Sequence, residues 1–321
     1  MLKIKNFKAT DQEFKDIIKI YNLVSHDEIL DYLDSKKRWD IRDKTLISDK
    51  LLLYNHNNLI GFLAFDFGRD ENSKTAEFSI FLNPKHNNLN HMETLYQEML
   101  IRINFFNCTK IFSGFWDHIN YQLYRKFLNK NGFKCVQINK ESFCVISKIN
   151  VDEYKPLIKR LEEDGIKFFD SKTELTKHPN HYKKLEELSW KYEQDIPIPD
   201  GISHTREPFN QFLKEQIYFE NNEYGIEIVA VKNNKYIAAT DISINHKAQP
   251  KIGWTGSLGV LREFRRKGIA TALKIKAINS LIKKGVTEIR TDNEENNPMY
   301  QINLKLGFEP APTQFDYLKV L

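Results

Sequence analysis

Residues 261–274 read LREFRRKGIATALK. Arg265, Arg266 and Lys267 crowd onto the turn before Gly268, and the strand-like run Ser257-Leu258-Gly259-Val260 leads into it. Ile269, Ala272, Leu273, Ala277, Leu281 and Ile282 then recur with helical spacing, so a helix begins near Gly268. The first turn of a helix already carries unpaired N–H groups and a partial positive charge. Three more cations there are costly unless an anion neutralises them. A strand-to-helix turn gathers several N–H groups in one concavity, and the helix dipole adds to their pull on an anion. Gly268 lets a ligand approach the backbone, Ala270 keeps the next turn low, and Arg and Lys add charge-assisted hydrogen bonds. The ligand that fits best is a pyrophosphate.

The elements that must hold this turn are repeated along the chain. Lys130-Asn131-Gly132-Phe133 returns as Lys305-Leu306-Gly307-Phe308, 175 positions later, each after a short helical run. Asn57-Asn58-Leu59-Ile60-Gly61 returns as Asn234-Lys235-Tyr236-Ile237-Ala238, 177 positions later, each between two strand-like runs. Nearly equal offsets of unrelated features predict two copies of one fold. In the first, strands are expected at 2–7, 51–54, 59–67, 76–82, 110–116 and 135–149, and helices at 11–24, 27–35, 92–106 and 121–130. In the second, strands are expected at 166–170, 226–231, 236–244, 251–260, 287–291 and 314–320, and helices at 182–192, 205–219, 268–284 and 299–306. Residues 152–164 read as a helical connector. The fold class is α/β (α+β), with domains at 1–150 and 151–321.

The hexapeptide Arg265-Arg266-Lys267-Gly268-Ile269-Ala270 resembles the (Arg/Gln)-x-x-Gly-x-(Gly/Ala) motif of the GCN5-related N-acetyltransferases (GNAT). Leu258-Gly259-Val260 is similar to their Leu-x-Val strand. The run from Asn296-Asn297-Pro298-Met299 to Leu306-Gly307-Phe308 is similar to their later helix ending in Leu-Gly-Phe. The resemblance implies a mixed, mostly antiparallel sheet flanked by helices in each copy, with acetyl-CoA or another acyl-CoA as cosubstrate. It implies that the amides of Arg265, Arg266, Lys267, Gly268, Ile269, Ala270 and Thr271 hold the CoA pyrophosphate. It gives Leu258, Gly259 and Val260 to the pantetheine arm and thioester, and sets Asn296 and Asn303 beside that arm. The first copy departs: its turn is Leu82-Asn83-Pro84-Lys85-His86-Asn87-Asn88-Leu89, without glycine and with a proline that removes a donor. Residues 1–150 therefore read as a degenerate copy, and the chain resembles tandem acetyltransferases of the mycothiol synthase type.

Acyl transfer needs a neutral amine, a base for its proton and a donor for the developing oxyanion. Val260 N–H is the expected oxyanion donor. Many relatives place a proton-donating Tyr where this chain has Asn303; Tyr300, one helical turn earlier, substitutes for it or is ordinary packing. Asp241, alternating with Ile242 and Ile244, is the candidate base, the alternative being a solvent-facing strand residue. Asp195, in the acidic loop at 191–200, is expected to bind a substrate ammonium, or else only to close the helix. Trp254 lines the acceptor pocket or belongs to the core. The expected activity is acetylation of a primary amine on a small molecule or aminoacyl compound by direct attack on the thioester. A silent CoA-binding scaffold and a protein or peptide N-acetyltransferase are the other readings.

Bulk properties narrow the classes further. A net charge of +5 suits an anionic ligand but is too mild to argue for nucleic acid. No apolar run approaches the roughly 20 residues of a membrane span, and MLKIKNFKATDQEF lacks the apolar core of a signal peptide. Cys108, Cys135 and Cys144 lack metal-ligand spacing and read as reduced thiols. The histidines form no ligand pair; His178 and His181 share a helix start and read as a solvated face. A cytoplasmic protein without a metal, a membrane or a nucleic-acid partner is expected.

Overall fold

A computed structural model describes residues 1–221 and 225–321. The first copy runs β1 (Leu2–Asn6), α1 (Asp11–Val24), α2 (Tyr32–Ile41), β2 (Ser48–Asn55), β3 (Asn58–Phe67), β4 (Thr75–Leu82), α3 (Leu89–Asn104), β5 (Lys110–Trp116), α4 (Gln122–Lys130) and β6 (Lys134–Val145). The connector α5 (Lys155–Glu163) follows. The second copy runs β7 (Ile166–Asp170), α6 (His181–Glu193), α7 (Phe209–Asn221), β8 (Gly225–Lys232), β9 (Lys235–Asn245), β10 (Gln249–Val260), α8 (Ile269–Lys283), β11 (Glu288–Glu294), α9 (Pro298–Lys305), β12 (Glu309–Pro310) and β13 (Gln314–Val320). Apart from the two-residue β12, the copies share one order of elements, as the repeated motifs predict. No helix is long and apolar enough to cross a membrane among the described residues.

The compact units are not the contiguous segments 1–150 and 151–321. One unit comprises Met1–Asn139, Ile198–Thr205 and Pro312–Leu321; the other comprises Lys140–Pro197 and Arg206–Ala311. The cause is strand placement. In the first unit β13 lies between β5 and β6, antiparallel to both, with Phe315 opposite Phe115 and opposite Ile138. Tyr317 enters that unit's core, 5.3 Å from the Phe115 ring. In the second unit the latter half of β6 takes the corresponding place beside β11 and pairs with β12. Each unit is otherwise an antiparallel meander with one parallel pair: β4 with β5, and β10 with β11.

Helices cover both faces of each sheet. In the second unit Ile269, Ala272, Leu273, Ala277 and Leu281 of α8 pack on Ile226, Ile228, Ile242 and Ile244. Ile282, expected on that stripe, is exposed; Ile275 and Ile278 are buried in its stead. On the other face Leu185, Leu188 and Tyr192 of α6 pack on Val229 and Ala239.

Two helix starts differ from expectation for local reasons. The Asn22 side chain clamps both the N–H and the C=O of Leu30 at 2.9 Å, and Asp31 caps the Asp34 N–H at 3.0 Å. The helix expected at 27–35 therefore begins at Tyr32. Pro208 disfavours helical backbone at the residue before it, and Asn72 holds the Ser203 N–H and C=O at 3.1 and 2.7 Å. The helix expected at 205–219 thus begins at Phe209.

Candidate functional site

The ladder between β9 and β10 dictates which backbone groups are free. Leu261 donates its N–H to Ile237 O at 2.9 Å. The adjoining register pairs Val260 with Ala238, Gly259 with Ala239 and Leu258 with Thr240. Hydrogen-bonded and non-bonded pairs alternate along an antiparallel ladder. Gly259 therefore bonds to β9, whereas Leu258 and Val260 turn their N–H and C=O groups towards β11. The parallel pairing of β10 with β11 covers only Ile252–Trp254 against Glu288–Arg290. Beyond it the strands part, and the N–H groups of Leu258 and Val260 face the opening. Val260 C=O accepts from Arg265 Nε at 2.8 Å.

The opening leads to the cationic turn. Gly268 has φ +88° and Arg266 φ +64°, two left-handed residues that curl the backbone into a nest of N–H groups. The N–H groups of residues 266–271 find no acceptor among the described residues; the first ladder bond of α8 is Ala272 N–H to Gly268 O at 3.0 Å. No side chain caps this helix. The contrast with the first unit is direct. There Asn88 caps α3 by accepting from the His91 N–H at 2.9 Å, occupying the place an anion would take. Glycine is required at 268 twice over: for its φ, and because a Cβ would stand 2.7 Å from Leu157 of α5.

The side chains of this turn are used differently from expectation. Arg265 is not free for a phosphate: besides Val260 C=O it binds Asp195. Asp195 also binds Arg262, and the two guanidiniums hold its carboxyl at about 2. Asp195 is therefore committed to the chain's own cations and is not the ammonium holder expected from its loop. Arg266 and Lys267 remain exposed at the nest. Asp195→Asn should loosen Arg265 and weaken acetyl-CoA binding about 3- to 10-fold, the scale of one exposed charge-assisted contact. Amine KM should change less. Competition binding and steady-state kinetics check this, and a change confined to amine KM would restore the ammonium-binding role.

On the α6 face, Asp241 is half-buried beside Ser257. Its Oδ1 accepts from the Ser257 N–H at 2.7 Å and from Ser257 Oγ–H at 2.5 Å. These bonds hold an irregularity in β10 between Thr255 and Leu258, just before the opening. Burial raises the Asp241 carboxyl. Glu227, opposite Asp241 across β8 and β9, is pushed up to about 8 by burial, with the Asp241 charge adding to it. Glu193 is raised too, by burial and by the charges of Glu186 and Asp241. Trp254 pairs with Ser243 on this side; its ring lies 5.5 Å from the Arg290 guanidinium, and its buried indole N–H has no acceptor among the described residues. It is half-buried, not core.

Tyr192, which the sequence did not mark, packs flat over Gly259: a Cβ there would lie 2.0 Å from its ring. Gly259→Ala should therefore push Tyr192 off the strand, destabilise the protein by about 1–3 kcal/mol and abolish turnover. Thermal unfolding beside an activity assay decides it, and unchanged values for both would remove the claim. His181 is also misread from sequence. It is buried, with Nδ1 at 2.9 Å from Tyr236 Oη and Nε2 at 3.1 Å from Ser171 Oγ, so it belongs to the core.

The α9 candidates divide. Asn303 is fully buried, and both ends of its amide are occupied: Lys274 Nζ donates to its Oδ1, and its Nδ2 donates to Asn293 Oδ1 at 2.7 Å. It braces α8, α9 and β11, and is not presented to a CoA arm. Asn296 is exposed, bound through its side chain to Glu294 at 3.0 Å. Tyr300 is half-buried in the first turn of α9. Lys274 was missed because it interrupts an apolar face; it lies 4.9 Å from the Phe308 ring, and burial lowers its ammonium to about 7.

Residues 183–308 match the family model described as Acetyltransferase (GNAT) family. No curated protein matches. Among solved structures the chain is similar to the tandem GNAT protein from the clavulanic acid biosynthesis pathway, at 14% identity and TM-score 0.77, covering 100% of this chain and 98% of that one. It is also similar to a GCN5-related N-acetyltransferase from Sphaerobacter thermophilus, at 13% identity and TM-score 0.68, covering 99% and 95%. A third likeness is to the GCN5-related glucosamine N-acetyltransferase region of a fungal multi-domain GH3 beta-N-acetylglucosaminidase, at 14% identity and TM-score 0.72. There the match covers 99% of this chain and 38% of that protein. At such identities the likeness is one of fold.

Proposed function

We propose, from the premise that residues 183–308 are a GNAT acetyltransferase domain in a chain of tandem GNAT fold, that this protein moves an acyl group, acetyl first, from CoA to a primary amine. The observation that carries the reading is the run of N–H groups at 266–271 without acceptors among the described residues, set at an uncapped helix end beside the parted strands. A pyrophosphate would accept from that nest. The pantetheine arm would then follow β10 into the opening, bonding Leu258. The thioester oxygen would meet Val260 N–H, a fixed donor that stabilises the charge developing there. Asp241 would take the ammonium proton, its raised carboxyl closer to the working pH than an ordinary aspartate. The negative charge of Asp241 and Glu193 on that face favours a cationic acceptor, as an amine is before it reacts. A small molecule or an aminoacyl compound is the acceptor class we assign.

The first unit lacks the nest and has a self-capped helix, so one copy binds CoA. Calorimetric titration of acetyl-CoA should give one site per chain. Two sites would restore the first copy, and none would end the acyl-CoA reading. Turnover against a panel of amines then names the acceptor.

A further inference from the structure

We infer that Ser257 carries the proton from the acceptor amine to Asp241, and that Tyr192 is the positioning residue that holds Ser257 ready to do so. This deepens the acyltransfer reading and rests on it.

Three groups form one hydrogen-bonded chain. Tyr192 Oη lies 2.9 Å from Ser257 Oγ, and Ser257 Oγ–H donates to Asp241 Oδ1 at 2.5 Å. Because the Ser257 proton points at Asp241, Tyr192 O–H is the donor of the other bond. A hydroxyl has two acceptor lone pairs; Tyr192 occupies one, and the second is left for an incoming N–H. Ser257 is also the last residue before Leu258, whose backbone faces the opening between β10 and β11. Its C=O is held at 2.9 Å by Thr240 Oγ1, and its N–H by Asp241, so its hydroxyl has little freedom to wander. Tyr192 is buried, is seated on Gly259, and is steadied by Ser189 Oγ at 3.2 Å.

The step balances without another reagent. The ammonium gives one proton to Ser257 Oγ as the hydroxyl's own proton passes to Asp241 Oδ1. This leaves a neutral amine, an intact serine and a neutral aspartic acid. The amine nitrogen bonds to the thioester carbon, the C–S bond breaks, and the second nitrogen proton leaves with the CoA sulfur. Asp241 returns its proton to water. Asp241 is faced by Glu227 from β8, Glu193 and Tyr192 from α6 and Ser257 from β10. Tyr192 stays protonated because burial raises it far above neutrality.

The test uses Tyr192→Phe, Ser257→Ala and Ser257→Thr in the full chain, each titrated with acetyl-CoA and assayed against pH with the best amine. Tyr192→Phe keeps the ring over Gly259 and removes only the hydroxyl. It should lower kcat about 10-fold and Ser257→Ala about 100-fold, within the range of general acid–base catalysis. Acetyl-CoA affinity should stay unchanged, and the lower pH limb should move in both variants. Ser257→Thr should recover part of the loss. A merely structural role would move acetyl-CoA affinity or stability with kcat and leave the pH limb in place, and that result overturns the relay. So does full activity in Ser257→Ala while Asp241→Asn is inactive. Wild-type protein that binds no acetyl-CoA overturns the underlying reading instead.

Discussion

The double variant Arg266→Glu/Lys267→Glu should bind acetyl-CoA at least about 100-fold more weakly than wild type. Both side chains are exposed at the nest, whereas Arg265 is committed to Asp195 and Val260. Hydrogen bonds to charged groups contribute about 1.5–3 kcal/mol each, so losing two gives that factor before the repulsion of two new carboxylates is counted. Neither residue belongs to a core cluster, so unfolding should shift little. The effect should shrink with salt, because surface charges are screened over about 10 Å at 0.1 M. The control is Lys85→Glu in the first unit, where Asn88 already caps the helix; it should leave affinity unchanged. Calorimetry at two ionic strengths decides the matter. Wild-type affinity in the double variant would show that the pyrophosphate lies elsewhere.

The second large effect concerns Lys274, which is 3% exposed and, among the described residues, bonded only to a neutral amide and an aromatic face. Burial lowers it from 10.5 to about 7 in the folded chain. Between those values the unfolded chain holds a proton that the native one does not. Stability therefore rises with pH from about 7 towards 10.5, and the full penalty applies below pH 7. At 1.36 kcal/mol per pH unit the penalty is roughly 5 kcal/mol. Lys274→Met removes it but leaves Asn303 Oδ1 unpaired, which costs about 1–3 kcal/mol. The variant should be more stable than wild type by about 2–4 kcal/mol at pH 7 and slightly less stable at pH 10. Urea unfolding at both pH values measures it; equal shifts at the two would mean that Lys274 stays charged in the fold.

What the sequence made legible follows from how local each signal is. The cationic turn, Gly268 and the Leu-Gly-Phe helix end are short-range patterns, and α8 and α9 lie where they predict. The loop aspartate Asp195 and the amide Asn303 look available in a string of letters. Their partners, Arg262 and Arg265 for one, Lys274 and Asn293 for the other, come from other elements. Ser257 and Tyr192 carry no spacing signal, because the strand irregularity and the glycine that bring them together are tertiary. Arg266 gave no hint of its left-handed backbone, which in a non-glycine residue is uncommon.

The position of β13 has a consequence for how the polypeptide is made. Until residues 314–320 have left the ribosome, the strands that flank β13 lack the partner lying between them. A nascent first half must wait with unpaired strand edges, which are templates for aggregation, and its closing step is a long-range contact of the kind that folds slowly. Translation order and folding order therefore differ: β5 and the first half of β6 are made long before the strand that secures them.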